Sequence, residues 1–176
     1  RLEPVKGSMF FIEAASEISK KFPEARFIVA GEGSLRIAME NRSRELGLSQ
    51  KIIFTGWIED MREVLPVFDV MVMPSLNEAV GMALIEAQAQ EVPVVATKVG
   101  GIPEVVVDNK TGILVPPSDP AGMAGAVCGL MADKKRRAEM GEAGRMWVYD
   151  KFNAEAMADK TSALYMEILH KKRRFG

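Results

Sequence analysis

Two acidic residues eight positions apart, Glu78 and Glu86, stand in the stretch PSLNEAVGMALIEAQA of residues 74–89. The apolar run before them, residues 69–73, reads as a strand, so Glu78 falls in the polar loop beyond its end. Gly81 then opens a helix, with Met82 and Ala83 in its first turn, and Glu86 lies about one and a half turns inside it. A helix start offers N–H groups without intrahelical partners, which suit a phosphate. Glu78, in front of that phosphate, can accept from sugar hydroxyls, and Glu86, behind it, from ribose hydroxyls. Charge-assisted hydrogen bonds of this kind orient a polyol well. The arrangement therefore suits a sugar nucleotide. Each acid also has a plainer reading. Glu78 can be an acid favoured by the helix dipole, and Glu86 a surface residue of an alanine-rich helix.

Arg1 and Lys6 flank a tight loop at the start of the chain. Two cations there could neutralise a diphosphate as it leaves, or form an ordinary solvated basic loop. Around these residues helical and strand periods alternate. Phe11, Ala15, Ile18 and Phe22 share one helical stripe in residues 8–22, which Pro23 ends. Residues 26–30 are a short buried strand. Gly31-Glu32-Gly33 turns into a polar helix at 34–46, stopped by Gly47. A strand at 52–55 precedes Asp60 and Glu63, a capping box predicting a short helix to about Val67. After the helix at 81–90 come a strand at 94–97, the loop Gly100-Gly101-Ile102-Pro103 and a short strand at 113–115. Asp119-Pro120 is an N-cap and N1 pair. Helices at about 134–149 and 154–172 close the chain.

Short apolar strands alternating with helices argue an α/β fold: a Rossmann-like, doubly wound parallel sheet covered on both faces. Residues 1–153 read as one ligand-binding domain and 154–176 as a C-terminal helix with a basic tail. Such sheets bind ligands beyond the C-terminal ends of their strands, and the loops singled out all follow strands. One strand is missing from the pattern. Residues 1–7 are a loop leading into a helix, where a doubly wound domain is expected to begin with a central strand. Without it two unpaired edges would lie inside the protein. That strand is expected upstream of Arg1 or from another chain.

Composition narrows the function classes. With 48% hydrophobic and 27% charged residues, the 176-residue chain has the make-up of a soluble globular domain. A net charge of −1 gives no field to draw nucleic acid, and no apolar run approaches a membrane span. The single cysteine, Cys128, excludes an intrachain disulfide, fits a reducing, cytoplasmic compartment and reads as a small buried hydrophobe. The lone His170 reads as solvent-exposed. No Asp-x-Asp occurs, and no metal site is expected. Gly31-Glu32-Gly33 lacks the third glycine of a dinucleotide fingerprint, Arg36 standing in its place, and reads as a tight turn. Lys171-Lys172-Arg173-Arg174 reads as a solvated helix end, with peripheral contact to an anionic membrane's inner face as its alternative. Gly100-Gly101 is either a flexible strand exit or a point of ligand approach.

Arg1-Leu2-x-x-x-Lys6-Gly7, Phe54-Thr55-Gly56, Pro74-Ser75, Glu78 to Glu86, residues 93–97 (PVVAT), Gly100-Gly101-Ile102-Pro103-Glu104 and residues 111–117 (TGILVPP) occur in one order. This series resembles the C-terminal, donor-binding domain of the retaining glycosyltransferases of family four, which have the GT-B fold. The resemblance runs from Arg1 to about Tyr165. It implies that Arg1 and Lys6 grip the donor diphosphate, that Glu78 contacts the transferred sugar, and that Glu86 holds the ribose. It further implies that Gly81, Met82 and Ala83 line the phosphate or ribose through their backbone, with Gly101 nearby, and that the loop around Ile58 meets the base. Ala79 and Val80 replace the family's usual Gly-Phe.

The implied activity is metal-independent, retaining transfer from a UDP- or GDP-sugar, with no separate cofactor. The acceptor (a glycan, a lipid-linked sugar or a small molecule) would bind mainly to an N-terminal domain outside these residues. Rival readings are a sugar-nucleotide epimerase or phosphorylase of the same fold, and a non-catalytic nucleotide-binding or interaction module.

Overall fold

The computed structural model describes residues 1–175; the side chains at 156 and 172–175, with the Lys172, Arg173 and Arg174 calls, lie outside the described residues. Five strands, β1 (Phe27–Ala30), β2 (Ile52–Gly56), β3 (Met71–Met73), β4 (Val94–Thr97) and β5 (Gly112–Val115), are all paired in parallel. Seven helices surround them: α1 (Ser8–Lys21), α2 (Arg36–Glu45), α3 (Met82–Ala89), α4 (Ile102–Val105), α5 (Pro120–Ala132), α6 (Lys134–Lys151) and α7 (Ala154–Phe175).

β4 shows why helices must cover both faces. All four of its residues are buried. Val95 packs into a core with Ile12, Phe27 and Met123 from α1, β1 and α5. Val94 and Ala96 pack into a second core with Leu84 and Ile102 from α3 and α4. Successive strand residues point to opposite faces, so this split is that of a central strand in a doubly wound sheet. Fully burying a side chain such as Ile12 contributes about 1.5–3 kcal/mol.

The strands do not form one sheet. β1 and β2 make one sheet, and β3, β4 and β5 another. Residues of both β1 and β3 line one cavity, and the interruption between the two sheets falls where a first, central strand was expected.

Several sequence expectations change in detail. The helix predicted from Asp60 to Val67 is instead two single 3₁₀ turns, Met61–Glu63 and Leu65–Val67. Pro66 is the physical reason: it has no N–H to continue an α-helix, and its ring clashes with the preceding turn. The capping box is likewise replaced, because the Asp60 carboxylate accepts from the N–H of Arg62. The strand predicted at 69–73 is ordered as a strand only over Met71–Met73. The loop at residues 100–103 runs into the one-turn helix α4, capped by Gly101 and with Pro103 in its first turn. Asp119 does cap α5, accepting from the Gly122 N–H at 2.8 Å.

Every described side chain of α7 is exposed, His170 included. Lys171, the one described residue of the basic run, pairs with Glu167 at 2.6 Å. Among the described residues no helix is long and apolar enough to cross a membrane. Cys128 is buried, and burial pushes its thiol pKa up, as expected for a hydrophobe rather than a reactive thiol.

Candidate active site

The loops of interest all leave the C-terminal ends of parallel strands. Residues 74–80 follow β3, Gly100 and Gly101 follow β4, and Ile58 follows β2. Residues 1–7 lie against the turn after β1, where the Leu2 N–H donates to the Glu32 carbonyl at 2.8 Å and the Leu35 N–H to the Leu2 carbonyl at 2.9 Å. A β-carbon on Gly33 would stand 2.5 Å from the Leu2 carbonyl oxygen. The Gly31-Glu32-Gly33 turn is therefore filled by the chain's own backbone, as a tight turn requires. Glu3 secures the same junction, accepting from the Ser34 hydroxyl at 2.7 Å and its N–H at 3.1 Å. Those bonds hold the Glu3 pKa below the ordinary carboxylate value.

Lys6 ends a 3₁₀ turn, Pro4–Lys6, and its ammonium forms an ion pair with the Glu78 carboxylate across 72 positions of sequence. The side chains are 27% and 14% exposed respectively, so the pair is half withdrawn from water. The Glu78 loop is tied from two sides. On one, the Leu76 N–H donates to the Val5 carbonyl at 2.8 Å. Gly7, at φ +63°, lies so close that a β-carbon there would stand 1.9 Å from the Pro74 carbonyl oxygen. On the other, Thr97 at the end of β4 donates its hydroxyl to the Ser75 carbonyl at 2.5 Å, and the Gly101 N–H donates to the Glu78 carbonyl at 3.0 Å. Gly100, at φ +50°, leaves space that a β-carbon would take 1.9 Å from that same carbonyl oxygen. The glycine pair thus makes room for the Glu78–Ala79 backbone instead of forming a loose strand exit.

Gly81, left-handed at φ +81°, opens α3 without a side-chain cap. The Leu84 N–H turns back to the Gly81 carbonyl at 2.8 Å. The N–H groups of Met82 and Ala83, in the first turn, have no intrahelical acceptor. Arg1, Lys6, Glu78, Gly81, Met82 and Ala83 line one cavity of about 1170 Å³. Paired cations, an acid and a helix start facing one hollow can bind an anionic, hydroxyl-rich ligand.

The remaining predicted residues stand further out. Glu86 is exposed and does not line that cavity, but it lies one turn along α3 from Met82, on the same helix face. Ile58 lines a separate shallow recess with Glu59, Asp60, Arg62 and Glu63. Sequence reasoning missed the work of the struts Val5, Gly7 and Thr97, and read Gly100 as a strand exit or a point of ligand approach, not as a strut. Only the glycines carried a signal, and that signal does not say which backbone approaches. It also missed Ser75, 1% exposed at the cavity wall with no hydrogen-bond partner for its hydroxyl. Among the described residues no group of three His, Cys, Asp or Glu could hold a metal ion.

Comparison with known proteins decides the family. Residues 1–147 match the family model described as glycosyl transferases group 1. The chain belongs to this glycosyltransferase family. It is 35% identical, over 159 residues, to the GDP-mannose-dependent α-(1-6)-phosphatidylinositol monomannoside mannosyltransferase of Mycolicibacterium smegmatis, covering 85% of this chain and 42% of that protein. Its fold is similar, at TM-score 0.80 and 33% identity, to the C-terminal domain of the group 1 protein LpcC from Francisella tularensis, covering 88% of this chain and 83% of that one. It also resembles S. aureus TarM, solved as a mutant with fondaparinux, α-GlcNAc-glycerol and UDP, at TM-score 0.88 and 27% identity, over 94% of this chain and 34% of TarM. The chain thus spans less than half the length of the mannosyltransferase and of TarM. The Rossmann-like half of a GT-B glycosyltransferase, expected from the sequence, is the fold observed.

Proposed function

We propose that this chain is the donor-binding half of a glycosyltransferase that moves a sugar from a UDP- or GDP-sugar to an acceptor, with retention of configuration and without a metal ion. The observation that carries this reading is the Lys6–Glu78 ion pair, set at the start of α3 on the cavity wall. Residues 72 positions apart are brought together there with a carboxylate held by backbone on both sides.

In this reading Lys6 and Arg1 meet the donor diphosphate, and the Met82 and Ala83 N–H groups add the helix-end dipole. Their charges stabilise the negative charge that builds on the leaving diphosphate. A donor phosphate competing for Lys6 frees Glu78 to accept from the sugar hydroxyls. Glu78 positions the sugar and stabilises charge; it is not the nucleophile. Retention follows from attack on the face the leaving group departs, guided by the leaving phosphate. Glu86 takes the ribose, and the backbone at Ile58 the base. Gly101 acts by holding the Glu78 carbonyl. The acceptor binds to a separate N-terminal domain, so this chain alone binds donor and transfers little.

UDP in the TarM structure and GDP-mannose in the mannosyltransferase's name support a nucleotide-sugar donor. A panel of UDP- and GDP-sugars, incubated without acceptor with the polypeptide that includes the N-terminal domain, tests the reading. One donor class should be hydrolysed slowly, with Glu78→Gln slowing it at least tenfold. Hydrolysis indifferent to Glu78→Gln would overturn the assignment.

A further inference from the structure

Lys6 meets the loop of residues 74–80 twice, through its side chain and through its backbone neighbours. Its ammonium pairs with the Glu78 carboxylate. Beside it, the Val5 carbonyl accepts from the Leu76 N–H at 2.8 Å, and Gly7 lies against the Pro74 carbonyl. The segment that carries the cation is thus fastened to the segment that carries the acid. The far side of the acid's loop is fastened too, by the Gly101 N–H on the Glu78 carbonyl at 3.0 Å. Neither backbone can draw back from the other without breaking these bonds. A ligand therefore parts the ammonium from the carboxylate by turning side chains alone, and the two stay within reach of each other while it is bound.

If the cavity takes a sugar nucleotide, two ligands must be told apart there. The sugar nucleotide enters, and the nucleoside diphosphate is left behind. Both bring phosphate to Lys6 and displace Glu78. The sugar nucleotide also brings hydroxyls that donate to the freed carboxylate. The bare diphosphate brings none, so the carboxylate loses its cation and faces phosphate oxygens of like charge. With Lys6 27% and Glu78 14% exposed, water replaces only part of what the pair loses.

We propose that Glu78 is an intramolecular competitor of the product: it recaptures Lys6 once the sugar has gone and so helps to expel the nucleoside diphosphate. This rests on the donor reading above, and it adds selection of substrate over product to the positioning role of Glu78. The competitor acts at high effective concentration, because the backbone bonds from Val5 to Leu76 and from Gly101 to Glu78 keep it at hand. Arg1 and the start of α3 line the same cavity and still hold the diphosphate, so the product is loosened rather than barred.

Calorimetric titration of UDP and GDP into the longer polypeptide, which includes the N-terminal domain, tests this in wild type, Glu78→Gln, Lys6→Ala and the double variant. Glutamine keeps the size of the side chain and removes the charge that holds Lys6. Glu78→Gln should bind the nucleoside diphosphate at least about threefold more tightly than wild type, and the gain should vanish in the Lys6→Ala background. Unchanged or weaker binding in Glu78→Gln would overturn the proposal and leave the donor reading standing. A gain that persists without Lys6 would also overturn it, because simple repulsion between carboxylate and phosphate would then be the cause. No binding of UDP or GDP by the wild type would sink the donor reading, and the proposal with it.

Discussion

Residues 74–80 and residues 57–63 both leave parallel strands at the same end of the fold, yet they are held by different means. The first loop is gripped by distant parts of the chain: Val5 and Gly7 on one flank, Thr97, Gly100 and Gly101 on the other. The second is held within itself. Asp60 bonds Arg62 two residues on, Trp57 is 76% exposed, and Pro66 restricts the following turns to 3₁₀ geometry. Long-range backbone ties hold the acid in place, as its proposed contact with a transferred sugar requires. The proposed contact of the second loop with a base goes through main-chain atoms, which such local closure leaves in place.

Breaking the grip on the first loop should have the largest effect. Gly100→Ala places a side chain against the Glu78 carbonyl in a left-handed backbone. It should cost about 1–3 kcal/mol, lowering the melting temperature by roughly 3–10 °C in calorimetry, and weaken donor binding at the same time. A variant of unchanged stability would show that the grip is unimportant. Next, Lys6→Ala removes the charged partner while leaving the loop's backbone ties. It should weaken donor affinity by about 1.5–3 kcal/mol, tenfold or more.

The two acids separate by readout. Glu86→Ala, at an exposed position, should weaken nucleoside diphosphate binding by about 1 kcal/mol. Glu78→Ala in the longer polypeptide should lower turnover more than it lowers that affinity. Equal effects on affinity would undo the division between sugar and ribose. The smallest effect belongs to the second loop. Hydrogen bonds from Arg62 hold the Asp60 pKa down to about 2 from its ordinary 3.8. A depressed carboxylate stabilises its turn above the ordinary value and loses that contribution as pH falls toward the folded one. That contribution should therefore be lost between about pH 4 and pH 2, the Arg62 amide shift should titrate with its midpoint near 2 instead of near 3.8, and Asp60→Asn should leave donor binding at neutral pH unchanged.

Much of the frame was legible because it rests on local chemistry. Apolar runs such as PVVAT mark a strand buried on both faces, and Asp119-Pro120 marks a helix start through its own side chain and ring. The placement of Glu78, Gly81 and Glu86 around a helix opening was legible for the same reason. The resemblance already put Lys6 and Glu78 at one donor site, but their direct ion pair was not legible, because it joins residues brought together only by sheet topology. Nor was the work of Gly7 and Gly100, whose sequence context shows a turn but not the carbonyl that crowds it. The helix expected over residues 61–67 failed because Pro66 outweighs the capping signal at Asp60.

The most direct test is calorimetric titration of UDP- and GDP-sugars into the polypeptide with its preceding residues present, wild type against Lys6→Ala. One donor should bind with one-to-one stoichiometry and lose at least tenfold in affinity in the variant. Tight binding unaffected by Lys6→Ala, or no binding of any donor by the wild type, would contradict a donor site built around Lys6 and Glu78.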